Sequence, residues 1–444
     1  MTDEEKGYRI ALNALKSAMK PEEWIERRKK FELWQQGASS NLSDPYPAEM
    51  RPDDTFGWYI FVGELALDRQ YALHPDEAAR VLPILAGLGA RWEFASRVDG
   101  IDDKLKELAG PRRVEPDSGF FEIAVALAYA AEGFDVTLIP EEPGIRKTPD
   151  IFVKRGEIQV FIECKRQQAP GEYGLIQQEN WKRLWKPLEE KLVEIGNSVW
   201  LKIEFRVELS QIETDYLPEK LNFAIALVDR EMVVLDNELV KVEAKPVPLR
   251  RVAAHLANNY VKVRGTFERS LLGEEWATPR MSMESVCIGK RKKPDALMPE
   301  WMARSFWDTI SFGSGVSWKC AAERSIEMQA RDLKVLFARA IEQLPMDSNG
   351  IVHVMSETLS GNDVERRRTK KIEDSIKAFR CDRPVLGLLY HRVQAESPVD
   401  GAFNFDESVT DFWAFPEIKK QFPHFAFVPK DTHGRDGGHW DHYE

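Results

Sequence analysis

Glu163 and Lys165 stand two residues apart at the end of an apolar run, Ile158-Gln159-Val160-Phe161-Ile162-Glu163-Cys164-Lys165. Side chains along a strand alternate faces. Read as a strand, the run puts Ile158, Val160, Ile162 and Cys164 on one face and Gln159, Phe161, Glu163 and Lys165 on the other. A carboxylate and an ammonium then project together from a strand that begins as core. Asp150 precedes Glu163 by thirteen residues, across the tight-turn sequence Arg155-Gly156-Glu157. Hairpin geometry brings Asp150 beside Glu163. Two carboxylates on adjacent strands form a hard oxygen site suited to Mg²⁺ or Mn²⁺. A lysine beside them can orient an attacking water or stabilise phosphate charge. Such a set serves metal-assisted phosphodiester hydrolysis.

Glu122 is a further candidate. It lies in Phe120-Phe121-Glu122-Ile123-Ala124-Val125-Ala126-Leu127-Ala128-Tyr129, a segment apolar on nearly every side. Such a helix is expected to be buried. A carboxylate there is costly unless it is paired or metal-bound. The alternative is a first-turn acid favoured by the helix dipole. For Glu163 and Lys165 the alternative is a salt bridge on a surface hairpin.

Together, Glu122 on a helix, Pro149-Asp150, and Glu163-Cys164-Lys165 on a hairpin resemble the PD-(D/E)xK, or restriction-endonuclease-like, nuclease superfamily. The resemblance spans roughly residues 115–210. It implies that Asp150 and Glu163 hold the metal, that Cys164 lends its backbone carbonyl, that Lys165 assists attack and that Glu122 completes the site. The Gln-x-x-x-Tyr signature of one subset is matched only by Gln177 and Trp181. An E-x-K triplet alone means little, since about one or two arise by chance in a chain this long. Glu243-Ala244-Lys245, with Asp229 upstream, is the nearest competitor. It lacks the proline before the aspartate and the apolar run before the glutamate.

The elements that must position these residues read as follows. A helix is expected over 118–131 and ends at Gly133. Strands follow over 134–140, 149–154 and 158–165, then a helix over 175–195 with a kink at Pro187, then a strand over 198–209. The order is α-β-β-β-α-β. Residues 1–112 read as a helical N-terminal domain, 113–250 as the nuclease core, and 251–444 as an α/β C-terminal region that either extends the nuclease sheet or stands alone. Within these, 223–245 suggests strands. Helices are expected over 321–344 and 363–379, and strands over 350–356 and 384–393. The expected class is α/β.

Composition sets the frame. Hydrophobic residues make up 43% and charged residues 30% of 444, a globular balance. No apolar stretch reaches the ~20 residues of a membrane helix, and the acidic start is no signal peptide. Four scattered cysteines form no CxxC pair and fit a reducing, cytoplasmic setting. A net charge of −11 counts against extended nucleic-acid coating, yet leaves room for one local phosphate groove. Gln177, Lys182 and Arg183, on a helix mixing basic and aromatic residues, and the run Lys290, Arg291, Lys292 and Lys293, read as a loop, are the nucleic-acid-binding candidates. His433, His439 and His442 with Asp436 and Asp441 read as a Gly-rich terminus rather than a metal site. The expected function is a divalent-metal-dependent endonuclease acting on DNA rather than RNA. By family analogy it belongs to a host-defence or restriction system, with a second copy or a defence-system protein as partner. The alternative is a nuclease-like fold that binds nucleic acid or acts as a scaffold without cutting.

Overall fold

The computed structural model describes residues 3–40, 53–69, 73, 75–141, 148–167, 171–277, 282–294, 298, 300–330, 333–357, 361–378, 381–396, 404–427 and 434–436. Four helices open the chain: α1 (Asp3–Ser17), α2 (Pro21–Ser40), α3 (Thr55–Asp68) and α4 (Pro75–Arg91). The short β1 (Val98–Asp99) leads to α5 (Ile101–Ala109) and α6 (Asp117–Ala131). Then come β2 (Asp135–Leu138), β3 (Ile151–Arg155), β4 (Ile158–Gln167) and the long α7 (Glu172–Ile195).

Helix α6 is the centre of this half. Phe120, Phe121, Ile123, Val125, Leu127 and Tyr129 are all buried, so the helix is packed on every side. Gly133, at φ +86°, supplies the left-handed residue that turns the chain out of it. Gly156, at φ +59°, closes the two-residue turn between β3 and β4, where Arg155 pairs with Ile158. The alternation read from the β4 sequence holds. Val160, Ile162 and Cys164 join the core beneath α6, while Phe161 packs on the opposite face of the sheet.

The remaining strands are β5 (Val199–Phe205), β6 (Met232–Asp236), β7 (Val240–Pro246), β8 (Ser282–Arg291), β9 (Trp307–Cys320), β10 (Gly350–Glu357), β11 (Val385–Glu396), β12 (Asn404–Trp413) and β13 (Gly434–Asp436). Helix α8 (Tyr216–Ala226) lies between β5 and β6; α9 (Leu249–Asn258) and α10 (Thr266–Gly273) lie between β7 and β8. Later helices run Glu300–Ala303, Glu323–Gln329, Lys334–Ile341 and Asn362–Ala378. The architecture is α/β with two mixed sheets. Among the described residues one has eight strands in the order β1-β2-β3-β4-β10-β11-β12-β13, and the other five in the order β6-β7-β5-β9-β8.

Three sequence expectations need correction. The strand after α7 does not extend the sheet holding β4. β5 is the centre of the second sheet, between β7 and β9. The place beside β4 belongs to β10, which pairs parallel to it from Gly350↔Phe161 to Ser356↔Gln167. Both strands are apolar enough to be central, and sequence proximity does not decide between them. Second, residues 223–226 end α8 rather than start a strand, because Leu217, Leu221 and Ile225 form one buried helical stripe. Third, 321–344 is two helices, Glu323–Gln329 and Lys334–Ile341, rather than one.

Burial follows the sheets. One continuous cluster runs from Tyr8 through α3, α4 and α6 to Phe427, so the N-terminal helices share their core with one face of the eight-stranded sheet. Phe337, Ile341, Ile372 and Tyr390 cover the other face. The two faces of the five-stranded sheet have separate cores, one with Trp181 and Leu188 of α7 and one around Trp200, Leu256 and Trp307. No described helix is long and apolar enough to cross a membrane, and all four cysteines are free.

Candidate active site

Asp150 lies one residue before β3, yet it is locked into the hairpin. Its N–H donates to the Ile162 carbonyl at 3.1 Å, and its own carbonyl accepts from the Ile139 N–H at 2.8 Å. Its carboxylate Oδ2 accepts from the Cys164 N–H at 2.7 Å. Backbone pairing thus fixes the acid against β4. Glu163 is fully buried (0% exposed). Lys165 turns back along the same face, and its Nζ donates to Glu163 Oε1. The second Glu163 oxygen, Oε2, is buried with no hydrogen-bond partner. Such an orphaned acceptor is uncommon and costly unless something absent from the protein chain satisfies it.

Glu122 enters from above, in the second turn of α6, and is 5% exposed. Its Oε2 lies 2.6 Å from Lys104 Nζ. Lys104, on α5, is also 3.4 Å from Glu107. Nothing in the local sequence marks Lys104, which lies eighteen residues upstream on another helix.

The three acids disturb one another. Burial, reinforced by the Asp150 charge and opposed by Lys165, pushes Glu163 up to about 9. Burial and then Asp150, opposed by Lys104, push Glu122 up to about 7. Burial also raises Asp150, against the pull of Lys165 and of the Cys164 N–H. Burial alone would lower Lys165, but the Glu163 and Asp150 charges outweigh it and hold the ammonium above the usual lysine range. Lys104 is raised in the same way, chiefly by Glu122. The Cys164 thiol is pushed well up by burial and then by Asp150, so a thiolate nucleophile is excluded.

A second ring of charge adjoins Lys165. Arg166 pairs with Glu357 at the end of β10 and with Asp117 at 3.2 Å. Arg80 of α4 bridges the same two acids, at 2.8 Å to Asp117 and 3.1 Å to Glu357. Tyr59 donates to Asp117 at 2.5 Å. This network ties α3, α4, α6, β4 and β10 together around the end of the motif strand.

The donor chemistry suits a hard divalent cation. Asp150 and Glu163 offer carboxylate oxygens on one hairpin, and Glu163 Oε2 is buried and unclaimed. As placed, however, no three His, Cys, Asp or Glu side chains among the described residues stand close enough to hold an ion. Two of the acids are drawn to lysines instead, Glu163 to Lys165 and Glu122 to Lys104.

The nucleic-acid candidates fall elsewhere. Gln177 is buried on α7 (4% exposed), and Trp181 stacks on Trp318 at 4.8 Å. Lys182 pairs with Glu179 at 2.9 Å on the surface. Arg183 is spent on structure: it donates to Thr214 Oγ1 and to the Leu209 and Ile212 carbonyls at 2.9–3.0 Å. Lys290 and Arg291 are not in a loop; they end β8, an edge of the five-stranded sheet. Arg291 stacks over Trp307 at 3.7 Å and Lys292 over Tyr260 at 4.8 Å, a cation–π arrangement that gives a lone basic run its support. Lys293 is exposed. In the C-terminal tail His433, His439, His442 and Asp441 lie outside the described residues, and only the backbone of Asp436, in β13, is described.

No family model, curated protein or solved structure matches this chain.

Proposed function

We propose that this chain is a divalent-metal-dependent nuclease that hydrolyses phosphodiester bonds, with DNA as its substrate. The observation that carries the reading is Glu163. It is fully buried, one carboxylate oxygen has no partner, Asp150 is fixed on the neighbouring strand, and Lys165 returns to the same acid. Glu64 and Glu365 also have one buried oxygen without a hydrogen-bond partner, so the reading rests on the conjunction of Glu163, Asp150 and Lys165 at one strand end rather than on that oxygen alone.

Bound Mg²⁺ or Mn²⁺ would ease deprotonation of an attacking water and offset charge developing on the phosphate. Asp150 and Glu163 are the residues that would hold it, with the Cys164 backbone carbonyl as the third protein oxygen. The Cys164 N–H orients the Asp150 carboxylate from behind. Lys165, charged and flanked by two carboxylates, serves as a donor to the phosphate or the nucleophile rather than as a proton acceptor. Glu122 feels the Asp150 charge and is held by Lys104.

A second reading, a nuclease-like fold that binds without cutting, draws on the absence of a ready three-ligand cluster among the described residues. The test is cleavage of plasmid, linear duplex, single-stranded DNA and RNA in Mg²⁺, Mn²⁺ and EDTA. The nuclease reading expects metal-dependent cleavage of DNA that Glu163→Gln abolishes. Binding without cleavage in any metal would establish the second reading.

A further inference from the structure

Alternation along the β3–β4 hairpin puts Asp150, Glu163 and Lys165 on the face of the sheet that carries Phe152 and Phe161. Phe161 packs there against the core beneath the helix Lys334–Ile341, which lies over both β4 and β10. This helix therefore borders an approach to the acids along that face. It is amphipathic. Phe337, Ala340 and Ile341 are buried, while Lys334, Val335 and Arg339 look outward. The turn that ends it is tied to the acid's own segment, because Gln343 Nε2 donates to the Thr148 carbonyl at 3.1 Å, two residues before Asp150.

Along the outer side of the helix runs an open cleft of about 540 Å³, lined by Lys334, Val335, Ala338, Arg339, Glu342 and Gln343. Two cations in this lining stand against one acid. Arg339 is exposed, and it makes no hydrogen bond or ion pair among the described residues. Arginines nearer the motif are already held, Arg80 and Arg166 by Asp117 and Glu357, and Arg112 by Glu107 and Glu141. A guanidinium presents a planar fork of donors that matches a phosphate. Arg339 stands one helical turn from Gln343, ~6 Å along the axis. Asp150 is at most ~7 Å of extended chain from Thr148. The guanidinium is thus within a phosphate or two of one held at the acids.

Resting on the nuclease reading above, we propose that the outer face of the helix Lys334–Ile341 is a track for the nucleic-acid backbone, on which Arg339 takes a phosphate neighbouring the one that is cut. Gln343 is a positioning residue that ties this track to the Asp150 segment. The experiment measures binding of a short linear duplex DNA to the full-length protein in Ca²⁺ across a salt series, and cleavage of the same duplex in Mg²⁺ and Mn²⁺. Arg339→Gln should weaken binding by about tenfold and reduce the slope of log K against log salt by about one. Its loss in cleavage should appear in KM rather than in kcat. Arg339→Lys should restore the slope, because it keeps the charge. Lys220→Gln, exposed on α8 over the other sheet, is the charge control and should leave the slope as in wild type. A slope unchanged in Arg339→Gln, an equal reduction in Lys220→Gln, or a loss confined to kcat would overturn the track while leaving the nuclease reading standing. Binding without cleavage in any metal, with the slope reduced in Arg339→Gln, would keep the track and overturn the nuclease reading. No binding and no cleavage by wild type would overturn both.

Discussion

Two strands of this molecule carry nearly the same short pattern, one in each sheet. On β4 it is Glu163-Cys164-Lys165 with Asp150 upstream; on β7 it is Glu243-Ala244-Lys245 with Asp229 upstream. Both strands alternate, with Val242 and Ala244 buried as Ile162 and Cys164 are. The outcomes differ because of what the rest of the chain brings. Glu243 is partly exposed and paired with Lys241 at 2.8 Å. Lys245 looks away from it, to Glu275 at 2.6 Å and to the Trp276 ring at 5.0 Å. Asp229 is exposed after α8. On β4, by contrast, the lysine folds back on a fully buried glutamate, a third acid arrives on α6, and one oxygen is left unclaimed. Spacing supplies the pattern, and full burial of the glutamate beside further buried acids separates a candidate site from an ordinary salt-bridged strand.

The largest effect that can break this contrast is on turnover. Lys165→Ala should reduce metal-dependent cleavage by roughly 10²–10³-fold, the scale of removing one preorganised charge donor, while Lys245→Ala should leave the rate within about twofold. Equal losses in single-turnover assays would mean that the β4 site does nothing special.

Next comes metal linkage. A ligand that binds only the folded state stabilises by about 2.7 kcal/mol at a hundredfold excess over Kd. Mn²⁺ should therefore raise the Tm of wild type by several degrees. Asp150→Asn keeps an oxygen to accept the Cys164 N–H but removes the charge, so the Mn²⁺ shift should vanish. In EDTA the same variant should be slightly more stable than wild type, because it relieves repulsion among the acids. A less stable variant in EDTA would mean that Asp150 serves the hairpin alone.

Local parts of the site are legible in the sequence, and parts that depend on packing between distant elements are not. The hairpin was readable because Asp150, the Gly156 turn and Glu163 are local, and because strand periodicity fixes which side chains share a face. Burial of Glu122 followed from the all-round apolar character of α6. Lys104 left no trace in the sequence, since its role depends on how α5 packs on α6. The β4–β10 pairing was equally hidden, because parallel strands joined by a long excursion carry no register signal. The basic run at 290–293 misled in the opposite way. It looked like a loop, but its strand lies on an edge and its cations rest on aromatic rings.

A smaller effect concerns pH. Glu163 at about 9 and Glu122 at about 7 retain protons in the folded state that the unfolded chain has released above the ordinary value of 4.5. Unfolding then releases protons, so their contribution is fully present below 4.5 and is lost as pH rises through 7 and 9. Metal-free wild type should lose Tm between pH 5 and 9, and Glu163→Gln should flatten the slope. An unchanged slope in the variant would place the titrating groups elsewhere.

The smallest effect sharpens the comparison from the β7 side. Lys245→Met removes pairs to two partly exposed glutamates, worth about 1 kcal/mol or less. Urea denaturation should register that loss, and Mn²⁺ binding should be untouched.

The pairing of β4 with β10 also has a temporal consequence. Asp150, Glu163 and Lys165 are synthesised early, but the strand that completes their surroundings begins at Gly350, after residues 168–349 have been made. At ~5–20 residues per second the ribosome needs roughly 10 to 40 s for that interval. Throughout it, β4 has β3 as its hairpin partner but lacks its parallel neighbour, and closing so long a loop is the slow kind of step in folding. The nascent chain therefore carries its acids for some time without the buried setting that gives them their unusual chemistry, and it exposes an apolar strand edge that calls for protection until residue 357 emerges.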